Sequence, residues 1–121
     1  MATILVVDDS ATEIYVLKTL LEKNGYQVET ATDGAQGIEA AKTYHPDLIL
    51  MDVVMPVLNG FQATRQLRRD PDTAGIPIIV VTTKDQDTDR SWGLRQGAAD
   101  YIVKPVDPKD LLDKIKTTLG G

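Results

Sequence analysis

Leu48-Ile49-Leu50-Met51-Asp52 is a run of four large apolar residues that ends on a carboxylate. A strand with one wet face alternates apolar and polar residues, whereas an unbroken short run suits a strand covered on both sides. Ile76 to Val81 reads the same way, and Ile4 to Val7 is a third apolar run. Weaker runs lie at Gln27 to Ala31 and Tyr101 to Val103.

Between these runs the chain carries helix signals. Ser10 and Glu13 have the spacing of a capping box, and Gly25 follows the last periodic residue as a stop. Asp33 with Gln36 repeats that start in weaker form, and Asn59 precedes a third helix. Asp107-Pro108 is an N-cap and first-turn pair for the last helix, where Leu111, Leu112, Ile115 and Leu119 make one apolar stripe. Five strands alternating with five helices predict a doubly wound α/β fold with a parallel sheet. The expectation is one domain over residues 1–121, with no linker, repeat or effector domain.

The 121 residues suffice for a core without staples, and 42% hydrophobic with 26% charged residues is the balance of a globular domain. A formal charge of -5 argues against nucleic acid as a partner. No apolar stretch reaches the ~18 residues of a membrane span, and the start has no secretory pattern. The expected location is the cytoplasm, without membrane insertion. The absence of cysteine excludes disulfides, thiolate metal sites and cysteine nucleophiles. Neither G-x-x-x-x-G-K-[ST] nor G-x-G-x-x-G occurs, so no nucleotide cofactor is expected.

The polar residues collect at strand ends. Asp8 and Asp9 follow the first strand, Asp52 the third; Thr82 closes the fourth and Lys104 the fifth. All five belong to the carboxyl edge of the sheet, where doubly wound folds bind ligands. With the strand order 2-1-3-4-5, taken from known sheets of this kind, the winding reverses between the first and third strands and the three aspartates meet. Clustered carboxylates repel one another unless a cation intervenes, and Mg²⁺ is the usual one beside phosphate. A carboxylate nucleophile with a metal, a lysine and a hydroxyl makes a phosphoryl-transfer site. Each residue taken singly has a plainer reading: a turn or cap aspartate, a strand-end hydroxyl, a solvated lysine. Their joint placement favours a site.

Val6-Val7-Asp8-Asp9-Ser10, Leu50-Met51-Asp52-Val53-Val54-Met55-Pro56, Val80-Val81-Thr82 and Tyr101-Ile102-Val103-Lys104-Pro105 resemble the response-regulator receiver family along essentially the whole chain. That resemblance implies a flavodoxin-like fold and a phosphoacceptor, Asp52, charged from a phosphohistidine on a sensor histidine kinase. It implies Mg²⁺ held by Asp9, Asp52 and the Val54 backbone carbonyl, with Asp8 acting through water. Thr82 and Lys104 would contact the phosphoryl oxygens. Tyr101 stands at the family's switch-aromatic position and would turn inward as Thr82 moves toward phosphate; without the resemblance it is a half-buried strand residue. The chain would catalyse only its own phosphorylation and dephosphorylation. It would signal to a downstream protein target through a surface made by the fourth helix, fifth strand and fifth helix.

More narrowly, Asn59-Gly60-Phe61-Gln62-Ala63-Thr64-Arg65-Gln66-Leu67 and Thr82-Thr83-Lys84-Asp85-Gln86 resemble the single-domain regulators of type IV pilus twitching motility. Thr83 departs from the Ala or Gly usual in the family, and its branched side chain would narrow access to the site. The alternatives are a phosphate sink for a shared kinase and an interaction module without phosphorylation, the latter disfavoured by the complete acidic, hydroxyl and lysine set. A flavin or nucleotide binder would show a bound chromophore. A phosphohydrolase would commonly carry a second aspartate two residues after Asp52, where this chain has Val54.

Three further residues carry expectations. His45 reads as a turn residue before Pro46 rather than a ligand. Trp92 lies in the poorest helical segment, beside Gly93, either packed at the core edge or near the output surface. Of the consecutive Ile14, Tyr15, Val16 and Leu17, at least one must stay exposed; Tyr15 is the expected one and a candidate kinase contact.

Overall fold

Strands form where the sequence places branched and large aliphatic residues, and they pair in parallel. In the computed structural model they are β1 (Thr3–Val7), β2 (Gln27–Ala31), β3 (Leu48–Asp52), β4 (Ile78–Thr82) and β5 (Asp100–Val103). The structure describes residues 2–53, 59–82, 94 and 97–120. The strands make one sheet in the order β2-β1-β3-β4-β5, every neighbouring pair parallel. β3 and β4 are buried along their whole length, as their unbroken apolar runs require.

The bounds shift in informative ways. Ile76 and Pro77 precede β4 rather than open it, because the Ile76 N–H donates to the Thr73 carbonyl and closes a turn. Asp52 is the last residue of β3, paired with Val81, rather than the first residue beyond the strand.

Four helices lie among the described residues: α1 (Ala11–Lys23), α2 (Gly34–Tyr44), α3 (Gly60–Arg69) and α4 (Pro108–Leu119). The helix expected around Trp92 falls outside them except at Leu94, and so do Val54 and Thr83. Ser10, Asp33, Asn59 and Asp107 all cap as their sequence positions suggest. Only Asn59 forms a reciprocal box, with Gln62. Gln36 turns its side chain to Thr32 instead, and the Ser10 cap is one-sided.

The helices cover both faces of the sheet. Leu17 and Leu21 of α1 and Leu111 and Ile115 of α4 pack with Ile4, Val6, Leu48, Leu50, Ile79, Val81 and Ile102 on one side. Ala41 of α2 and Ala63 and Leu67 of α3 pack with Leu5, Val7, Ile49, Met51, Ile78 and Val80 on the other. Alternate residues of each strand therefore feed two separate cores. Tyr15 is 71% exposed and Val16 55%, so two of the four consecutive apolar residues on α1 face outward. His45 caps α2 in the left-handed conformation, φ 48°, beside Asp72 at 3.3 Å.

Candidate functional site at the carboxyl edge of the sheet

The site begins where β1, β3, β4 and β5 stop. Asp8 follows β1, and its N–H still donates to Ala31 at the end of β2, which fixes its main chain. Its side chain is buried and doubly engaged. Oδ1 accepts the Ser10 N–H at 2.9 Å, while Oδ2 accepts from Lys104 Nζ at 3.1 Å. Ser10 therefore has two duties, since its hydroxyl also caps α1. The sequence shows the cap; the turn hydrogen bond to Asp8 is legible only as an Asp-x-Ser spacing.

Asp52 is buried at the end of β3, and the chain behind it is held by Val53 N–H to the Val81 carbonyl and Gly60 N–H to the Val53 carbonyl. Gly60 is a residue whose part sequence reasoning missed. A Cβ there would collide with the main-chain carbonyl of Asp52, so the start of α3 can lie against the end of β3 only if position 60 is glycine. The signal was Gly directly after the cap Asn59, read there only within the motif from Asn59 to Leu67.

Lys104 follows β5, and its N–H donates to the Thr82 carbonyl at 2.7 Å, continuing the ladder by one step. Its ammonium reaches both buried aspartates, 3.1 Å from Asp8 Oδ2 and 3.5 Å from Asp52 Oδ1. Thr82, also buried, ends β4 opposite Val103. Tyr101 lies on β5, half-buried, opposite Val80. Asp9 is exposed at the mouth.

Asp8, Asp9 and Asp52 each offer a carboxylate oxygen, and these oxygens lie within 4.8 Å of one another. Burial pushes the Asp52 carboxyl up to about 6, with the Asp8 charge adding to the rise; Lys104 works against it and Asp9 adds a little. For Lys104, burial disfavours the ammonium. The hydrogen bond it donates to Asp8 and the charges of Asp52, Asp8 and Glu13 outweigh it, leaving the group above its ordinary range. Three carboxylates against one ammonium leave the pocket short of positive charge. That donor set, all hard oxygens and partly enclosed, fits a small divalent cation such as Mg²⁺.

The five residues expected to meet thus lie at one edge: Asp8, Asp9, Asp52 and Lys104 in a single charged cluster, and Thr82 at the neighbouring strand end. No helix among the described residues is long and apolar enough to cross a membrane.

Comparisons with known proteins agree with this fold. The model of the response regulator receiver domain matches residues 4–116. The chain is 58% identical over 121 residues to Protein PilH of Pseudomonas aeruginosa, covering all of both chains. It is 40% identical over 116 residues to the alkaline phosphatase synthesis transcriptional regulatory protein PhoP of Bacillus subtilis, covering 96% of this chain and 48% of that one. It thus spans about half the length of that relative. Among solved structures, the Vibrio cholerae chemotaxis protein CheY4 superposes with a TM-score of 0.92 at 34% identity, over 98% of each chain. The receiver domain of a Pseudomonas aeruginosa sensor histidine kinase, with a magnesium ion coordinated in its active-site cleft, gives 0.91 at 33% identity, over 99% of this chain and 98% of that one. A parallel sheet wound in this order, with its acidic cluster at the reversal and matches of this extent, places the chain in the response regulator receiver family.

Proposed function

We propose that the protein is a phosphorylation switch of two-component signalling in which Asp52 accepts a phosphoryl group from a phosphohistidine on a sensor histidine kinase. The observation that carries this reading is the convergence of the Lys104 ammonium and two further carboxylates on a buried Asp52. An Asp52 carboxylate oxygen attacks phosphorus as the phosphorus–nitrogen bond breaks, and the electron pair stays on the departing imidazole nitrogen, which takes up a proton. Attack by water on the acyl phosphate later breaks its phosphorus–oxygen bond and returns the carboxylate.

Asp8, Asp9 and Asp52 would hold Mg²⁺, with the Val54 carbonyl, which lies outside the described residues. The ion would supply charge neutralisation on the phosphoryl oxygens. Lys104 serves the same charge from the other side, and Thr82 offers a hydroxyl from the end of β4. Seclusion of Asp52 keeps bulk water from competing for the nucleophile. Tyr101 is the aromatic that follows Thr82 between two arrangements, a shift of population that alters the protein-binding surface near β5 and α4.

The end-to-end match with Protein PilH and the motif around Asn59 to Leu67 support a single-domain regulator acting in pilus-driven motility, in the cytoplasm, through a downstream protein. The test is mass spectrometry after exposure to a small acyl phosphate with Mg²⁺. One phosphoryl group should add to the wild-type chain and none to Asp52→Asn. Addition to that variant would sink the assignment.

A further inference from the structure

β5 is an edge strand, and an edge strand presents main-chain groups that need partners outside the sheet. Tyr101 meets that need with side chains. Its N–H donates to Asp100 Oδ1 at 2.8 Å, and its carbonyl accepts from Lys114 Nζ at 2.8 Å. The same ammonium lies 4.9 Å from the centroid of the Tyr101 ring.

The placement of these two residues is unusual for a lysine on a surface helix. Ile102 belongs to the core beneath α1 and α4, whereas the Tyr101 ring packs against the opposite core, that of α2 and α3. Lys114 starts on α4, on the first of these faces, and reaches round the sheet edge to a residue facing the other. One turn earlier on the same helix, Asp110 lies 3.7 Å from the ammonium and restrains its reach. One cation therefore grips both the main chain and the ring face of Tyr101.

We propose that Lys114 is the positioning residue for Tyr101: it holds the ring at the sheet edge and sets how readily the ring leaves that place. The proposal rests on the reading of Tyr101 as the switch aromatic only for its signalling consequence. The placement itself rests on the two contacts. A ring that turns inward along β5 gives up the ammonium over its face, while the carbonyl contact can persist. Lys114 thus weights the resting arrangement and ties it to α4.

Ring ¹³C resonances of tyrosine, with Tyr101 assigned through Tyr101→Phe, test this in the whole protein before and after treatment with acyl phosphate and Mg²⁺. Lys114→Met keeps the aliphatic stem and removes the cation; Lys114→Arg keeps a cation and donor. In unphosphorylated Lys114→Met the ring population should move about two- to fivefold toward the position seen in phosphorylated wild type, as expected for loss of one partly exposed cation–π contact. Lys114→Arg should restore the wild-type spectrum. A Met variant indistinguishable from wild type, or displaced away from the phosphorylated position, overturns the proposal, and so does an Arg variant as perturbed as Met. If phosphorylation leaves the wild-type ring unmoved, the switch reading of Tyr101 fails. A ring that still responds to Lys114→Met then upholds the placement by itself.

Discussion

Lys104 and Asp8 stand 96 residues apart in the chain, yet the lysine ammonium lies 3.1 Å from Asp8 Oδ2. The contact spans the site from the end of β5 to the end of β1, and its second branch reaches Asp52 at 3.5 Å. One partly buried cation thus offsets repulsion within a cluster of three carboxylates whose oxygens lie within 4.8 Å of one another.

Removing that cation leaves two buried aspartates facing each other. Lys104→Met should destabilise the protein by about 3 kcal/mol in chelator, near the lower bound for breaking a buried pair because the lysine is partly exposed. Saturating Mg²⁺ should narrow the difference, since a second source of positive charge is then present. Urea unfolding of both proteins, with and without the ion, checks both statements.

The Asp52 carboxyl is raised from 3.8 to about 6, so the folded protein binds a proton there more readily than the unfolded chain. Its contribution is then favourable below about pH 4 and is lost as pH rises to about 6. The penalty of keeping it ionised approaches about 3 kcal/mol above that window. In chelator, wild type should therefore lose stability relative to Asp52→Asn between those pH values. A difference between the two unfolding free energies that stays flat with pH would contradict a raised Asp52 carboxyl.

Divalent cation binding should follow the same titration. A proton on Asp52 competes with the ion, so the apparent affinity for Mg²⁺ should fall as pH drops below about 6. The ion should also raise the melting temperature at neutral pH, by mass action on the folded state alone. Calorimetric titration across pH measures the first effect and thermal scans the second.

Gly60→Ala places a methyl group against the Asp52 carbonyl and the adjoining Val53 main chain. Neither neighbour is a flexible side-chain tip, so the start of α3 must move away from the end of β3. A loss of about 2–3 kcal/mol is expected, with slower phosphorylation because the nucleophile is displaced. Asn59→Ala, one residue earlier, removes the cap and the reciprocal box with Gln62 and should cost about 1 kcal/mol without moving Asp52. Phosphorylation rates set beside unfolding curves separate the two effects.

Much of this fold is written locally. The unbroken runs ending at Met51 and Val81 declare buried parallel strands, and Ser10, Asp33, Asn59 and Asp107 declare helix starts, because period and capping act over only a few residues. The acidic, hydroxyl and lysine residues are legible as a set for the same reason: each lies at the end of a readable strand. Sequence by itself therefore determined which residues come to the carboxyl edge. Tertiary structure alone decided how they meet. The split of Asp8 between Ser10 and Lys104, the raised Asp52 carboxyl, and the need for glycine at position 60 depend on distances between segments remote in the chain. The reach of Lys114 round the β5 edge to Tyr101 is of the same kind. Burial and Coulomb energy vary with separation in space, which a linear pattern of residues does not contain.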